Sequence, residues 1–128
     1  MNEDYVSFEQ AKTLKELGFD WECFSCYIKV YKGDDGWRLR IYDRYQSYND
    51  ERDERCISAP TLAQAQKWLR EVKGKIIIPY VMHIENIMKY DFYIADEPID
   101  PFDYSDGFDT YELALSAGID KALELVKE

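Results

Sequence analysis

Three cysteines and one histidine are the side chains of this sequence with the most specific chemistry. Cys23 and Cys26 form a CxxC pair, and Cys56 and His83 would complete the four ligands of a tetrahedral zinc site. The separations of 30 residues after Cys26 and 27 residues after Cys56 match no common zinc spacing. Redox chemistry would require the pair at the start of a helix, whereas this pair leads into a predicted strand. We therefore interpret the cysteines as structural and predict no metal and no cofactor. A small metal- or ligand-binding domain that uses these four residues is the second hypothesis.

His83 also decides whether the chain has a histidine-based active site, because it is the only histidine. It follows an apolar run and precedes the segment 84–87, which places it near the tip of a predicted hairpin. A side chain in that position is typically an exposed turn residue. The sequence contains neither a phosphate-binding glycine loop nor a G-x-S-x-G motif. These observations predict a protein that is not an enzyme and has no catalytic residues.

A stretch rich in acidic and aromatic residues is the strongest candidate for a binding surface. Between Lys89 and Lys121 the chain has nine acidic residues and no lysine or arginine. We call residues 96–111 the acidic-aromatic tract. Its candidate binding residues are Asp96, Glu97, Asp100, Phe102, Asp103, Tyr104, Asp106, Phe108 and Tyr111. Such a surface would attract a basic protein by its charge, and its aromatic side chains would supply contacts of the kind that carry much of the binding energy at interfaces.

Two other interpretations apply to this tract. The first is an acidic connection that leads into a helix, because acids stabilise the start of a helix. The second is a calcium loop, since Asp100, Asp103 and Asp106 precede Gly107. Their spacing is three rather than two, and no glutamate follows at the position of the bidentate ligand, so we predict no calcium site. The sharpest form of the binding hypothesis is a protein that imitates the charge of DNA and thereby occupies a DNA-binding protein.

The charge and composition exclude several classes of function. The formal net charge is −10 over 128 residues, which opposes direct binding to nucleic acid or to anionic lipid. No apolar run approaches the ~20 residues of a transmembrane helix, and residues 1–5 lack the features of a signal peptide. The odd number of cysteines fits a reducing compartment. We therefore expect a cytoplasmic protein that binds neither membranes nor nucleic acid.

Apolar periodicity and capping residues predict three helices and two hairpins. The helices start at Ser7, Thr61 and Asp109, each with a glutamine or glutamate three residues later, and the first two end at glycines. Val72 is expected on the buried face of the second helix. The polar segment 43–55 is interpreted as a solvated loop whose first residues extend the first hairpin. The predicted strands are 26–31, 37–42, 75–81 and 88–95.

This order predicts one α+β domain over residues 1–128, with the arrangement α-ββ-α-ββ-α and helices packed on an antiparallel or mixed sheet. Pro79 has no N–H to donate to a neighbouring strand, so its strand is expected at an edge. Pairing of that edge with another copy of the chain gives the third hypothesis, a homodimer or larger homo-oligomer. The predicted core consists of Trp37, Leu39, Ile41, Leu62, Trp68, Leu69, Phe92, Ile94, Leu115, Ile119 and Leu123.

Three segments of the chain carry a family resemblance. They resemble a group of small uncharacterised proteins of gut bacteria, their prophages and mobile elements. The segments are 7–12 with 17–20, then 59–71, and finally 111–115 with Ala122 and Leu123. The resemblance covers most of the chain, and its motifs are packing and capping signals. It implies a phage or mobile-element setting and supplies no site residue and no activity.

Overall fold

The computed structural model describes residues 4–30, 36–49, 54–99 and 106–127. Three α-helices and five β-strands follow one another in these ranges, and their contacts divide the chain into two units. We call Tyr5–Thr61 the N-terminal unit, and Leu62–Glu128 with Met1–Asp4 the C-terminal unit. The predicted α+β class and the order of helices and hairpins are confirmed, with a short third strand added after the first hairpin. That the whole chain acts as one domain stays a prediction.

The first helix begins where its capping residues predict. α1 spans Phe8–Glu16. The Ser7 hydroxyl accepts a hydrogen bond from the Gln10 backbone N–H at 3.1 Å, and the Gln10 side-chain oxygen accepts one from the Ser7 N–H at 2.8 Å. These bonds satisfy donors that the start of a helix leaves unpaired. The buried face of α1 carries Gln10, Ala11 and Leu14, and a glycine with positive φ follows the helix, as predicted.

The sheet of the N-terminal unit has three antiparallel strands. β1 (Cys23–Lys29) lies between β2 (Trp37–Gln46) and β3 (Cys56–Ser58). β2 therefore continues into the polar segment as far as residue 46. The register between β1 and β2 is irregular at this end, because Phe24 alone stands against the four residues 42–45 of β2. Bulges of this kind bend a strand and change the direction of its side chains.

The predicted core is wrong at Ile41, which is 56% exposed, and only partly right at Trp37, Leu39 and Phe92, which are half-buried. Phe8 of α1 stacks on Trp37 with ring centroids 4.9 Å apart, so the Phe8 side chain covers the start of β2. Ile41 lies four residues farther along the strand. The alternation of apolar residues identifies one face of β2, but a helix of nine residues does not cover the length of that face.

The C-terminal unit combines two helices with a two-stranded antiparallel sheet. α2 spans Leu62–Lys73 and α3 spans Tyr111–Lys127, and β4 (Ile77–Ile84) pairs with β5 (Ile87–Ile94). α3 packs against both strands and against α2. The strands of the chain thus form two separate sheets within the described residues, rather than the one sheet that was predicted. None of the described helices is long and apolar enough to cross a membrane.

Gly118 lets α3 lie close to the sheet of this unit. A Cβ atom at this position would lie 2.5 Å from Cγ2 of Ile77 and 3.3 Å from the Phe92 ring. Ile77 is buried and Phe92 is half-buried, and both belong to the face of the sheet that α3 covers. The opposite face of the hairpin carries the alternate residues of both strands.

The start of α3 differs from the prediction. Its N-cap is Thr110 rather than Asp109, because the Thr110 hydroxyl accepts the hydrogen bond from the Leu113 N–H at 3.1 Å. The Asp109 carboxylate instead accepts a hydrogen bond from the Lys89 ammonium group of β5. Sequence patterns favour either residue as a cap, and the lysine on the neighbouring strand decides between them.

Two further details of this unit correct the sequence analysis. β4 starts at Ile77 rather than at residue 75 and continues through His83, which is exposed near the turn, as predicted. Val72 is 49% exposed because it lies in the last turn of α2, beyond the buried residues of that helix. The prediction of an edge strand at Pro79 is confirmed, since β4 pairs only with β5 among the described residues.

Candidate functional site

Part of the acidic-aromatic tract can be placed in the C-terminal unit. Asp100, Phe102, Asp103 and Tyr104 lie outside the described residues. The members of the tract that the structure describes are Asp96, Glu97, Asp106, Phe108 and Tyr111. Four of them lie between the end of β5 and the start of α3, and Tyr111 is the first residue of α3.

The tract pairs with β5 at Phe108. The Phe108 N–H donates to the Tyr90 carbonyl at 2.7 Å, and the Phe108 carbonyl accepts from the Tyr90 N–H at 2.9 Å. Tyr111, the first residue of α3, packs edge-to-face on the Tyr90 ring with centroids 6.4 Å apart and is 44% exposed. Strand pairing and an aromatic contact therefore fix this part of the tract to the hairpin.

The charges of the tract divide into paired and accessible groups. Glu97 forms an ion pair with Lys75 at 3.1 Å, and Asp109 pairs with Lys89, whose hydrogen bond lowers the pKa of that carboxyl group. Asp96 and Asp106 are exposed, and neither forms an ion pair within the described ranges. The two lysines thus neutralise Glu97 and Asp109, while Asp96 and Asp106 face solvent.

The β4–β5 hairpin has a second surface on its face opposite α3. The sequence analysis did not predict this surface. Tyr80 on β4 stands directly across from Asp91 on β5, and Tyr93 follows two residues after Asp91 on the same face. The rings of Tyr80 and Tyr93 lie 6.0 Å apart, and each residue is 40% exposed. Partial burial, and then the Asp91 charge, raise the pKa of Tyr80. We call Tyr80, Asp91 and Tyr93 the hairpin face.

Toward the tip of the hairpin the same face carries Met82 and Lys89, which stand across from each other, and then two exposed isoleucines. Ile84 and Ile87 are paired across the turn and are 40% and 57% exposed. The lack of strict polar–apolar alternation in residues 75–95 was the signal that could have identified this face, because each strand carries apolar residues on both sides. A strand with only one buried face would show polar residues at these positions.

The cysteines and His83 lie in different units. Cys23 and Cys26 are buried in β1 and Cys56 is half-buried in β3, whereas His83 is exposed in β4. Within the described parts of the chain, no group of three or more histidine, cysteine or acidic side chains is placed to hold a metal ion. Burial raises the pKa of the Cys23 thiol, which disfavours the thiolate that a metal or a redox reaction needs.

A cavity of about 530 Å³ lies at the irregular end of the three-stranded sheet. It is the place where side chains from β1, β2 and β3 and from the segment after β2 come together. Ligand pockets in proteins have volumes of ~300–1,000 Å³, so this cavity has the size of a small-molecule site. Its lining consists of Cys26, Tyr42, Asp43, Arg44, Gln46, Ser47, Tyr48 and Cys56.

Hydrogen bonds hold in place the segment after β2, which forms one wall of the cavity. The Tyr48 N–H donates to the Ser58 hydroxyl at 2.8 Å, which ties this segment to β3. The Asn49 side chain continues the connection, because its oxygen accepts from the Ser58 N–H at 2.8 Å and its amide donates to the Phe19 carbonyl at 2.7 Å. Ser58 and Phe19 are both buried, so these bonds are shielded from water.

Replacing Asn49 by alanine is expected to lower the free energy of unfolding by about 1–3 kcal/mol, because the buried Ser58 N–H loses its acceptor. Chemical denaturation followed by circular dichroism would measure the loss. Asn49→Asp is the matched comparison, since it keeps the oxygen that accepts from Ser58 and removes the amide donor to Phe19. We expect a smaller loss for this variant, and equal stability of Asn49→Ala and the wild type would contradict the role assigned to Asn49.

No protein-family model matches the chain, and no curated protein or solved structure is similar to it at a significant level. The resemblance to proteins of phages and mobile elements therefore stays a prediction.

Proposed function

We propose that this chain is a non-enzymatic interaction protein that binds a basic protein partner through its C-terminal unit. The contact surface consists of the hairpin face and the accessible acids of the adjoining tract, Asp96 and Asp106. A setting in a phage or mobile element is part of this proposal and rests on the resemblance of the sequence.

The observation that carries the proposal is the exposed tyrosine pair beside a carboxylate. The rings of Tyr80 and Tyr93 lie 6.0 Å apart on one sheet face, and Asp91 stands directly across from Tyr80 and two residues before Tyr93. Tyrosines that are rigid and partly exposed are enriched among the residues that dominate interface energies. A carboxylate next to such rings favours arginine or lysine in the partner, because the cation can pair with the acid and lie over an aromatic face.

The charge of the whole chain supports the same partner class. The net charge of −10 produces a negative potential that accelerates the approach of a basic protein. The effect acts over the Debye length, which is ~10 Å at 0.1 M salt and ~3 Å at 1 M salt. Binding that depends on this potential therefore weakens as the salt concentration rises.

A short lysine- and arginine-rich peptide is the probe for this proposal. We expect calorimetry to show binding at ~0.1 M salt and a loss of affinity of more than about tenfold at ~1 M salt. In the sharpest form of the proposal the surface imitates DNA, so double-stranded DNA and the chain should compete for the same peptide. Binding that is unchanged by salt would contradict the electrostatic part of the proposal.

Charge reversal locates the surface. Asp96→Lys combined with Asp106→Lys should reduce peptide affinity by about tenfold or more, because like charges then face the peptide. Glu71→Lys combined with Glu124→Lys is the matched control, since these exposed acids of α2 and α3 give the same net charge. An equal loss in both variants would show that only net charge matters and would overturn the assignment. Reversal at Asp100, Asp103 and Asp106 extends the same test along the tract.

The aromatic half of the surface has its own test. Tyr80→Ala combined with Tyr93→Ala should weaken peptide binding at both salt concentrations, because stacking contacts are not screened by ions. Tyr45→Ala is the comparison, since Tyr45 is 52% exposed on β2 of the N-terminal unit. If removing Tyr80 and Tyr93 leaves the affinity unchanged, the hairpin face is not part of the interface.

A further inference from the structure

The cavity of the N-terminal unit has no part in the proposed interaction, and its lining has a definite chemical character. Tyr42 and Tyr48 stack with ring centroids 5.9 Å apart and planes inclined by 25°. The Tyr48 hydroxyl donates to the Arg44 carbonyl at 2.8 Å, which holds that ring in place. Partial desolvation, and next the nearby Cys26 thiol, raise the pKa of Tyr48, so its hydroxyl stays protonated and keeps this bond. Two ordered aromatic rings thus line one part of the cavity.

Two opposite charges line the same cavity. Asp43 and Arg44 are consecutive in β2, and both belong to the lining. In a regular strand consecutive side chains point to opposite faces. Here the four residues 42–45 stand against Phe24 alone, and this irregularity allows both charges to reach one space. Neither side chain forms an ion pair within the described ranges, so both charges are available to a ligand.

The remaining lining groups are polar or polarisable. Gln46 and Ser47 offer an amide and a hydroxyl group, and the Ser47 hydroxyl already accepts a hydrogen bond from the Asn49 N–H at 3.4 Å. Cys26 is fully buried and Cys56 half-buried, so thiols form part of the wall on the side of β1 and β3. Thiols of this kind pack like small apolar groups. The cavity therefore offers one cationic, one anionic, one aromatic and one weakly polar region.

We propose that this cavity binds a small zwitterion with a flat aromatic ring, which is the chemistry of a free aromatic amino acid. The Arg44 guanidinium group pairs with the carboxylate of the ligand, a geometry that guanidinium groups favour. Asp43 pairs with the ammonium group, and the ring of the ligand packs against Tyr42 and Tyr48. The volume of about 530 Å³ accommodates a molecule of this size.

The charges of Asp43 and Arg44 favour a zwitterionic ligand over a purely anionic or purely cationic one. A simple anion would be repelled by a chain of net charge −10 and would leave Asp43 without a partner. A simple cation would place its charge beside Arg44. A zwitterion has no net charge, so the overall potential neither attracts nor repels it, and both lining charges acquire a partner.

Calorimetric titration with L-phenylalanine and three analogues tests the ligand class. 3-Phenylpropionate lacks the ammonium group, phenethylamine lacks the carboxylate, and L-alanine lacks the ring. We expect L-phenylalanine to bind and each analogue to bind at least about tenfold more weakly, since two of them lack a charged group that pairs with the lining and L-alanine lacks the ring that packs against the tyrosines. Absence of binding by L-phenylalanine at millimolar concentration would overturn the proposal, and so would equal affinity for 3-phenylpropionate.

Two variants and a control place the ligand in the cavity. Arg44→Ala and Asp43→Asn should each reduce the affinity for L-phenylalanine by about tenfold or more. Arg40→Ala is the control, because Arg40 is also exposed on β2 but does not line the cavity. Circular dichroism of all three variants would show that they are folded. Unchanged affinity of Arg44→Ala, or an equal loss in Arg40→Ala, contradicts the proposed site.

Alkylation of Cys56 gives a second test of ligand binding, which does not rely on calorimetry. Cys56 lines the cavity and is half-buried, so a bound ligand should shield its thiol. We expect saturating L-phenylalanine to slow the reaction of Cys56 with iodoacetamide several-fold, as followed by mass spectrometry of the peptides. Arg44→Ala should lose this protection. A reaction rate that L-phenylalanine does not change in the wild type would count against a ligand in this cavity.

Discussion

Replacing Trp68 by alanine is expected to lower the free energy of unfolding by about 3–5 kcal/mol. Trp68 is the largest fully buried side chain of the described residues and is only 1% exposed. Alanine removes most of its apolar surface from the interior and leaves a cavity that the surroundings fill only in part. Lys73, whose ammonium group lies 5.5 Å from the centre of the Trp68 ring, also loses its aromatic partner.

Chemical denaturation of wild type and Trp68→Ala would measure this loss. Far-UV circular dichroism reports on all helices and strands, while Trp21 and Trp37 remain as fluorescent reporters in the N-terminal unit. Val72→Ala is the matched control, since Val72 lies one turn later on α2 and is 49% exposed. We expect the control to lose well under about 1 kcal/mol. A similar loss in both variants would mean that burial of Trp68 does not stabilise the unit as argued.

Replacing Gly118 by valine is expected to lower the free energy of unfolding by about 1–3 kcal/mol or more. Its Cβ would lie 2.5 Å from Cγ2 of Ile77, closer than any contact that real Cβ atoms make, and the two γ-methyl groups would add further volume. Either Ile77 and Phe92 must move or α3 must separate from the sheet. Because α3 starts with Tyr111, the last residue of the tract, we also expect weaker binding of the basic peptide by this variant.

Leu113→Val is the control for Gly118→Val. It places the same β-branched residue in the same helix, at a position that is 40% exposed. Valine is a somewhat better helix former than glycine and a poorer one than leucine, so propensity alone would favour the Gly118 variant. A larger loss of stability in Gly118→Val can therefore come only from packing. Equal stability of Gly118→Val and the wild type would show that α3 does not approach the hairpin so closely.

Local signals in the sequence were enough to predict the helices and most strands. The capping box of Ser7 and Gln10 forms as expected, because its hydrogen bonds join residues only three positions apart. His83 lies exposed near a hairpin turn for a similar reason, since the turn at Glu85 and Asn86 depends on its own backbone conformation. Interactions of short range depend little on the rest of the chain.

Positions that depend on distant partners were predicted less well. Ile41 fits the apolar alternation of β2 but lies beyond the reach of α1. Thr110 caps α3 in place of Asp109, because Lys89 on β5 engages the acid. The strand β3 is only three residues long and forms by pairing with β1, so no periodicity could reveal it. In each case the partner lies far away in sequence.

The candidate sites also divide into features that the sequence predicts and features that depend on contacts between distant residues. Composition alone identified the acidic-aromatic tract, because charge is a property of the sequence and does not depend on folding. The tyrosine pair of the hairpin face required the register of β4 and β5, which decides that Tyr80, Asp91 and Tyr93 share one face. The cavity required the bulge that brings Asp43 and Arg44 into the same space as Cys26 and Cys56. The sequence by itself thus determined which charges and elements the protein has, and the tertiary structure decided which side chains meet, because such meetings depend on strand register and on how closely a helix approaches a sheet.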